Sequence, residues 1–93
     1  MLNDLLAQKT GHLMPTLTCK NGLTLSVQAS GTHYCSPRKD EGPYTKVEVG
    51  FPSRRVEALM PYAEEARRPT NTVYPYVPIE LVEQVIRENG GLA

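Results

Sequence analysis

The sequence predicts a small α+β domain: a mainly antiparallel sheet in the order β-β-β-α-β-α, with helices packed on one face. Residues 15–29 alternate apolar and polar side chains on either side of Asn21-Gly22, the patterning of a hairpin. Residues 44–51 alternate again between Pro43 and Pro52, two natural delimiters of a strand. Residues 79–88 repeat apolar side chains at helical spacing and stop at Asn89-Gly90-Gly91. A chain of 93 residues makes one domain, because separate cores appear only at greater lengths. It holds no Trp and one Phe, so Leu, Val, Ile and some of the five Tyr must build the core.

Taken in order, Leu2, Leu5 and Leu6 recur at helical spacing and predict a turn or two of helix before Thr10-Gly11. A helix that short is marginal unless it docks. Residues 1–13 are therefore either a loose appendage of the 14–92 core or a contact to a second copy in a homodimer. In the hairpin, a two-residue Asn-Gly turn would pair Lys20 with Leu23 and put Leu17 and Cys19 on the face opposite Leu25 and Val27. A three-residue loop, Lys20-Asn21-Gly22 with Gly22 left-handed, pairs Cys19 with Leu23 and Leu17 with Leu25 instead. All the apolar side chains then share one face, and this bulged register is the expected one.

In the third strand, Thr45, Val47, Val49 and Phe51 are expected to face one way and Lys46, Glu48 and Gly50 the other. Ser53 is placed as N-cap of a short helix over 54–60, with Val56, Leu59 and Met60 inward. Pro61 suits the start of another helical turn, in which Glu64 and Glu65 precede Arg67 and Arg68 in the order a helix dipole favours. Residues 72–77 have strand composition, and Pro75 confines them to an edge strand or to an extended run outside any sheet. The last helix opens at Pro78, turns Ile79, Val82, Val85 and Ile86 inward, and pairs Glu83 with Arg87 on its exposed side. Leu92 folds back after the glycines as the apolar contact of a C-cap.

Ten Lys and Arg balance ten Asp and Glu. Bulk nucleic-acid binding calls for a basic excess and DNA mimicry for an acidic one, and neither is present. The opening residues lack the basic start and apolar length of a secretory or membrane segment. Cys19 and Cys35 read as free thiols of a reducing compartment. The expectation is a cytoplasmic protein with no membrane partner and no cofactor.

The reactive side chains gather in residues 30–53. His33 and Cys35, two apart, would share a side of an extended segment and begin a thiolate–imidazole site, although no orienting group or oxyanion motif accompanies them. His12, Cys19, His33 and Cys35 could supply four metal ligands, but their spacing matches no zinc motif, so no metal is expected. Thr32, His33, Ser36, Arg38 and Lys39 could hold a phosphate or carboxylate, against which Asp40 and Glu41 partly cancel the field. Arg54 and Arg55 stand where a helix dipole is unfavourable to them; a salt bridge to Glu48 or Glu57 answers this, or an acidic partner does. Tyr74 and Tyr76, placed on one side of their segment, have the composition of an interface.

The runs SVQASGTHYCSPRKDEGPYTKVEVGFPS, MPYAEE and TVYPYVPIELVEQVIRENGG resemble small accessory proteins encoded in phages and prophages, over residues 17–92. The resemblance implies a setting, obstruction of host machinery such as CRISPR and other defence systems by binding, and brings no functional residue with it. The expected function is thus a non-enzymatic, phage-encoded inhibitor that occupies a host protein through the 31–43 loop, Arg54, Arg55, Tyr74 and Tyr76. Two other readings stand beside it: a binder that sequesters a nucleotide through the 31–43 loop, and an enzyme using Cys35 with His33.

Overall fold

The computed structural model describes residues 1–9, 11 and 13–93. Its elements are α1 (Leu2–Gln8), β1 (Leu17–Thr18), β2 (Thr24–Gln28), β3 (Lys46–Gly50), a 3-10 helix (Glu57–Tyr62), β4 (Val73–Pro78) and α2 (Ile79–Glu88). The four strands form one antiparallel sheet in the order β1-β2-β3-β4, so each strand pairs with its neighbour in sequence. The chain is a small α+β protein, as its patterning predicts.

The hairpin adopts the bulged register. Leu17 pairs with Leu25, Thr18 with Thr24, the Cys19 N–H donates to the Leu23 carbonyl at 2.8 Å, and Gly22 has φ +96°. Only this register puts Leu17, Cys19, Leu23, Leu25 and Val27 in one core. Val47 and Val49 of β3, Val77 of β4 and the predicted stripe of α2 (Ile79, Val82, Val85, Ile86) complete it. Past α2, Gly90 and Gly91 take positive φ and the Gly91 N–H caps the Ile86 carbonyl at 2.9 Å. Leu92 turns back as expected and bridges to Cys19, while the Ala93 N–H donates to the Thr18 carbonyl at 2.9 Å. The outer edge of β1 is thereby covered.

Other expectations give way. Phe51 lies outside β3: its φ of +51° breaks the alternation and its side chain is exposed, while Tyr44 at the other end is buried and Thr45 is exposed. Ser53 caps no helix; its hydroxyl accepts from the Thr24 N–H at 3.0 Å and ties the segment after β3 to β2. The segment forms a 3-10 helix with Pro61 inside it, and residues 64–71 are turns in which the Arg68 N–H donates to the Glu65 carbonyl and the Asn71 N–H to the Arg68 carbonyl. Three prolines, Pro52, Pro61 and Pro69, leave too short an interval for an α-helix to nucleate. β4 is an edge strand, one of the two settings Pro75 permits, and its pairing slips between Val47 and Val49, where Tyr76 bulges out at φ +54°.

α1 is docked. Leu2 and Leu6 are buried in the core, Asn3 exchanges two hydrogen bonds with the backbone of Tyr44, and the Leu2 N–H donates to the Glu83 carboxylate at 2.9 Å. Glu83 is thus committed to the helix start rather than to an exposed pair with Arg87. The Leu2 hydrogen bond holds the Glu83 carboxyl below its ordinary value near 4.5, burial opposes that, and the Met1 ammonium 3.4 Å away reinforces it. A carboxyl depressed in the folded state stabilises fully above its unfolded value and loses the contribution as pH falls through the folded one. Amide protection of α1 should therefore decline as pH drops below about 4.5. Glu83→Gln should flatten that dependence and weaken the protection at pH 7; hydrogen exchange in α1 that ignores both changes would contradict this docking.

Candidate interaction surface

Residues 30–45 fold as a lobe held to the sheet at several points. The Ser36 N–H donates to the Lys46 carbonyl at 3.1 Å, and the Thr45 N–H returns a bond to the Ser36 carbonyl at 2.8 Å. The Tyr44 hydroxyl donates to the Lys39 carbonyl at 2.8 Å, and burial raises its pKa above the ordinary phenol value. The Gly31 N–H donates to Asp40 at 2.8 Å. Cys35 is 2% exposed, and its sulfur lies 3.2 Å from the Ser30 carbonyl and 3.4 Å from the Pro37 carbonyl, two acceptors for its single S–H. It anchors both arms of the lobe.

His33 does not join that thiol. Residues 31–34 are turn and bend, not extended chain, and Nδ1 of His33 lies 2.7 Å from the Ser30 hydroxyl, which also sits 3.0 Å from the Thr32 hydroxyl. Thr32 and His33, two of the groups expected to hold an anion, are thus bonded around Ser30. Among the described residues, Ser36 and Lys39 are held in the lobe through backbone atoms alone, by Lys46 and Thr45 and by the Tyr44 hydroxyl. Cys19 is buried at the other end of the sheet, where burial raises its thiol pKa despite the nearby Arg54 charge. No group of three or more His, Cys, Asp or Glu suited to a metal occurs among the described residues, and His12 lies outside them.

Tyr74 and Tyr76 do not share a side. Tyr74 is fully buried and its hydroxyl donates to the Pro69 carbonyl; Tyr76 is displaced by the β4 bulge and is 43% exposed. Pairing with Tyr76 is a residue the sequence did not single out, Tyr34, whose ring centroid is 5.9 Å away with the planes at 48°. The Arg38 guanidinium stands over the Tyr34 ring at 5.4 Å. The two tyrosines are tied down: the Tyr34 N–H donates to the Glu48 carboxylate at 3.0 Å, and the Tyr76 N–H donates to the Tyr34 carbonyl at 3.1 Å. Tyr34 is the one Tyr, Phe or Trp in the polar stretch 30–43, the signal by which it could have been found.

Arg54 and Arg55 belong to another region. Arg55 pairs with Glu57 at 2.5 Å, which raises the arginine pKa and lowers that of the carboxyl, and Arg54 donates to the Asn89 side chain at 2.8 Å. Asn89 also accepts from Asn21 at 2.8 Å, so Arg54 reaches the hairpin turn and the end of α2. Neither arginine shares a partner with the tyrosine cluster.

Two exposed tyrosines tied to each other by a main-chain bond, with an arginine over one ring, make a preorganised surface that a partner can bury at little ordering cost. No helix among the described residues is long and apolar enough to cross a membrane. No protein-family model, curated protein or solved structure matches the chain.

Proposed function

We propose that this chain is a phage-encoded interaction protein that inhibits a host defence protein, with CRISPR effectors among the candidates, by occupying it in the host cytoplasm. The observation that carries this is the Tyr34, Arg38 and Tyr76 cluster, because exposed tyrosine and arginine on rigid backbone are the residues in which binding energy concentrates. The likeness to phage accessory proteins supplies the setting. The buried Cys35 thiol, its single S–H facing two carbonyls, supports binding over nucleophilic chemistry.

The immobilised chain should capture a protein from infected or lysogenic host lysate, identifiable by mass spectrometry and then titrated in purified form. Tyr34→Ala should weaken that binding roughly thirtyfold, the equivalent of about 2 kcal/mol for a central aromatic. Arg54→Glu with Arg55→Glu should leave it within a few-fold, since Asn89 and Glu57 already engage these side chains. The opposite ranking of the two variants would move the interface to the end of α2, and equal binding by the double variant Tyr34→Ala, Arg38→Glu would rule the cluster out.

A further inference from the structure

Phe51 is 55% exposed and takes no part in the tyrosine cluster. Its φ of +51° is one that glycine adopts freely and L side chains rarely do. The fold holds it there, with the Phe51 N–H donated to the Thr72 carbonyl at 3.1 Å and Pro52 buried behind it. Next to the ring opens a cleft of about 730 Å³, lined by Phe51 itself, Val73, Glu64, Glu65, Arg67 and Arg68 among others.

We infer that this cleft is a self-association surface, on which a second copy of the chain docks about a twofold axis. A twofold interface uses the same patch on both partners, so the patch must carry both halves of each contact. This one does. A protruding ring stands beside a concavity, and two carboxylates precede two guanidiniums with only Ala66 between them. Across the axis, each Phe51 fills the other copy's cleft and each acidic pair meets the other's basic pair. A nucleic acid or a strongly charged protein would select a rim of one sign, and this rim is neutral.

The rim is also available. Arg67 reaches Glu65 at 3.4 Å while 91% exposed, a weak solvent-screened contact that a partner can replace. Among the described residues Glu64 and Arg68 form no ion pair, and both are exposed. The patch shares no residue with Tyr34, Arg38 or Tyr76, so a dimer formed here leaves that cluster open.

Sedimentation velocity of the full chain from micromolar to millimolar concentration tests the inference. The mass should rise from that of one 10.3 kDa chain to twice that value. Phe51→Gly relieves the backbone and removes the ring, so it should remain monomeric throughout while melting no lower than the parent. Arg67→Glu with Arg68→Glu, and separately Glu64→Arg with Glu65→Arg, should each be monomeric alone and dimeric when mixed in equal amounts. A parent chain that stays monomeric over the whole range overturns the proposal, as does a dimer indifferent to Phe51→Gly; that glycine variant decides the matter even if a charge variant fails to fold.

Discussion

Gln28→Leu should cost the fold about 3 kcal/mol and lower its melting temperature by roughly 10–20 °C. Gln28 ends β2 on the face away from the main apolar core, a position usually left to water, yet it is 8% exposed. Its side-chain amide clamps one residue of the preceding segment: the carbonyl oxygen accepts from the Met14 N–H at 2.8 Å, and the amide nitrogen donates to the Met14 carbonyl at 2.9 Å. Both bonds are buried, and the same nitrogen also donates to the Ser26 hydroxyl at 2.9 Å. Leucine matches the volume but leaves a main-chain donor and acceptor without partners, each at about 1–3 kcal/mol. Gln28→Glu keeps an acceptor for the N–H and places a carboxylate against the carbonyl, so it should also destabilise. Ser26→Ala removes only the third bond and should stay within about 1 kcal/mol. Urea denaturation of the three variants gives the ranking, and a Gln28→Leu protein within 1 kcal/mol of the parent would show that the clamp is ornamental.

Gln28 marks the limit of what periodicity discloses. Alternation alone separates Leu25 and Val27 from Ser26 and Gln28, and it recovers the hairpin register because only the bulged loop keeps Leu17 with Leu25. It contains no term for a second segment lying over the polar face, which is what Met14 contributes. α2 was legible for a similar reason: Ile79, Val82, Val85 and Ile86 repeat at one period and meet one neighbour. Between 52 and 71 no period lasts long enough to decide. The acidic and basic pairs there imitate helix polarity, while prolines and turn hydrogen bonds set the backbone. Of the proposed surface, Arg38 and Tyr76 could be named from composition, but their assembly with Tyr34 depends on a bulge that reverses the expected direction of Tyr76. Positive φ has a sequence signature at Gly, Asn, Asp and His but none at an aromatic such as Phe51 or Tyr76. Alternation therefore places Phe51 at the end of the strand on the face of Val47 and Val49, whereas its ring is more exposed than those of Tyr34 and Tyr76.

Tyr74→Ala and Tyr76→Ala, two residues apart on β4, should have opposite consequences. Tyr74 is completely buried, its hydroxyl reaches the Pro69 carbonyl and lies 4.0 Å from the Met60 sulfur, and its pKa is raised by burial although the Arg55 charge opposes this. It joins the edge strand to the 3-10 helix and to the turns that follow. Truncation to alanine should cost about 3–5 kcal/mol, a large share of what a domain of this size possesses. Tyr74→Phe keeps the ring and loses only the hydroxyl bond, for about 1 kcal/mol. At Tyr76 the ring is half in solvent and the backbone is at positive φ whichever side chain it carries, so alanine should change stability by no more than about 0.5 kcal/mol. What Tyr76→Ala should lose is the stacking partner of Tyr34, and with it most of the affinity for a captured protein. Chemical denaturation and binding measured on the same three proteins separate the roles. Stability lost at Tyr76, or binding lost in a folded Tyr74→Phe protein, would mean that the bulge does not divide structural from recognition tyrosine in this strand.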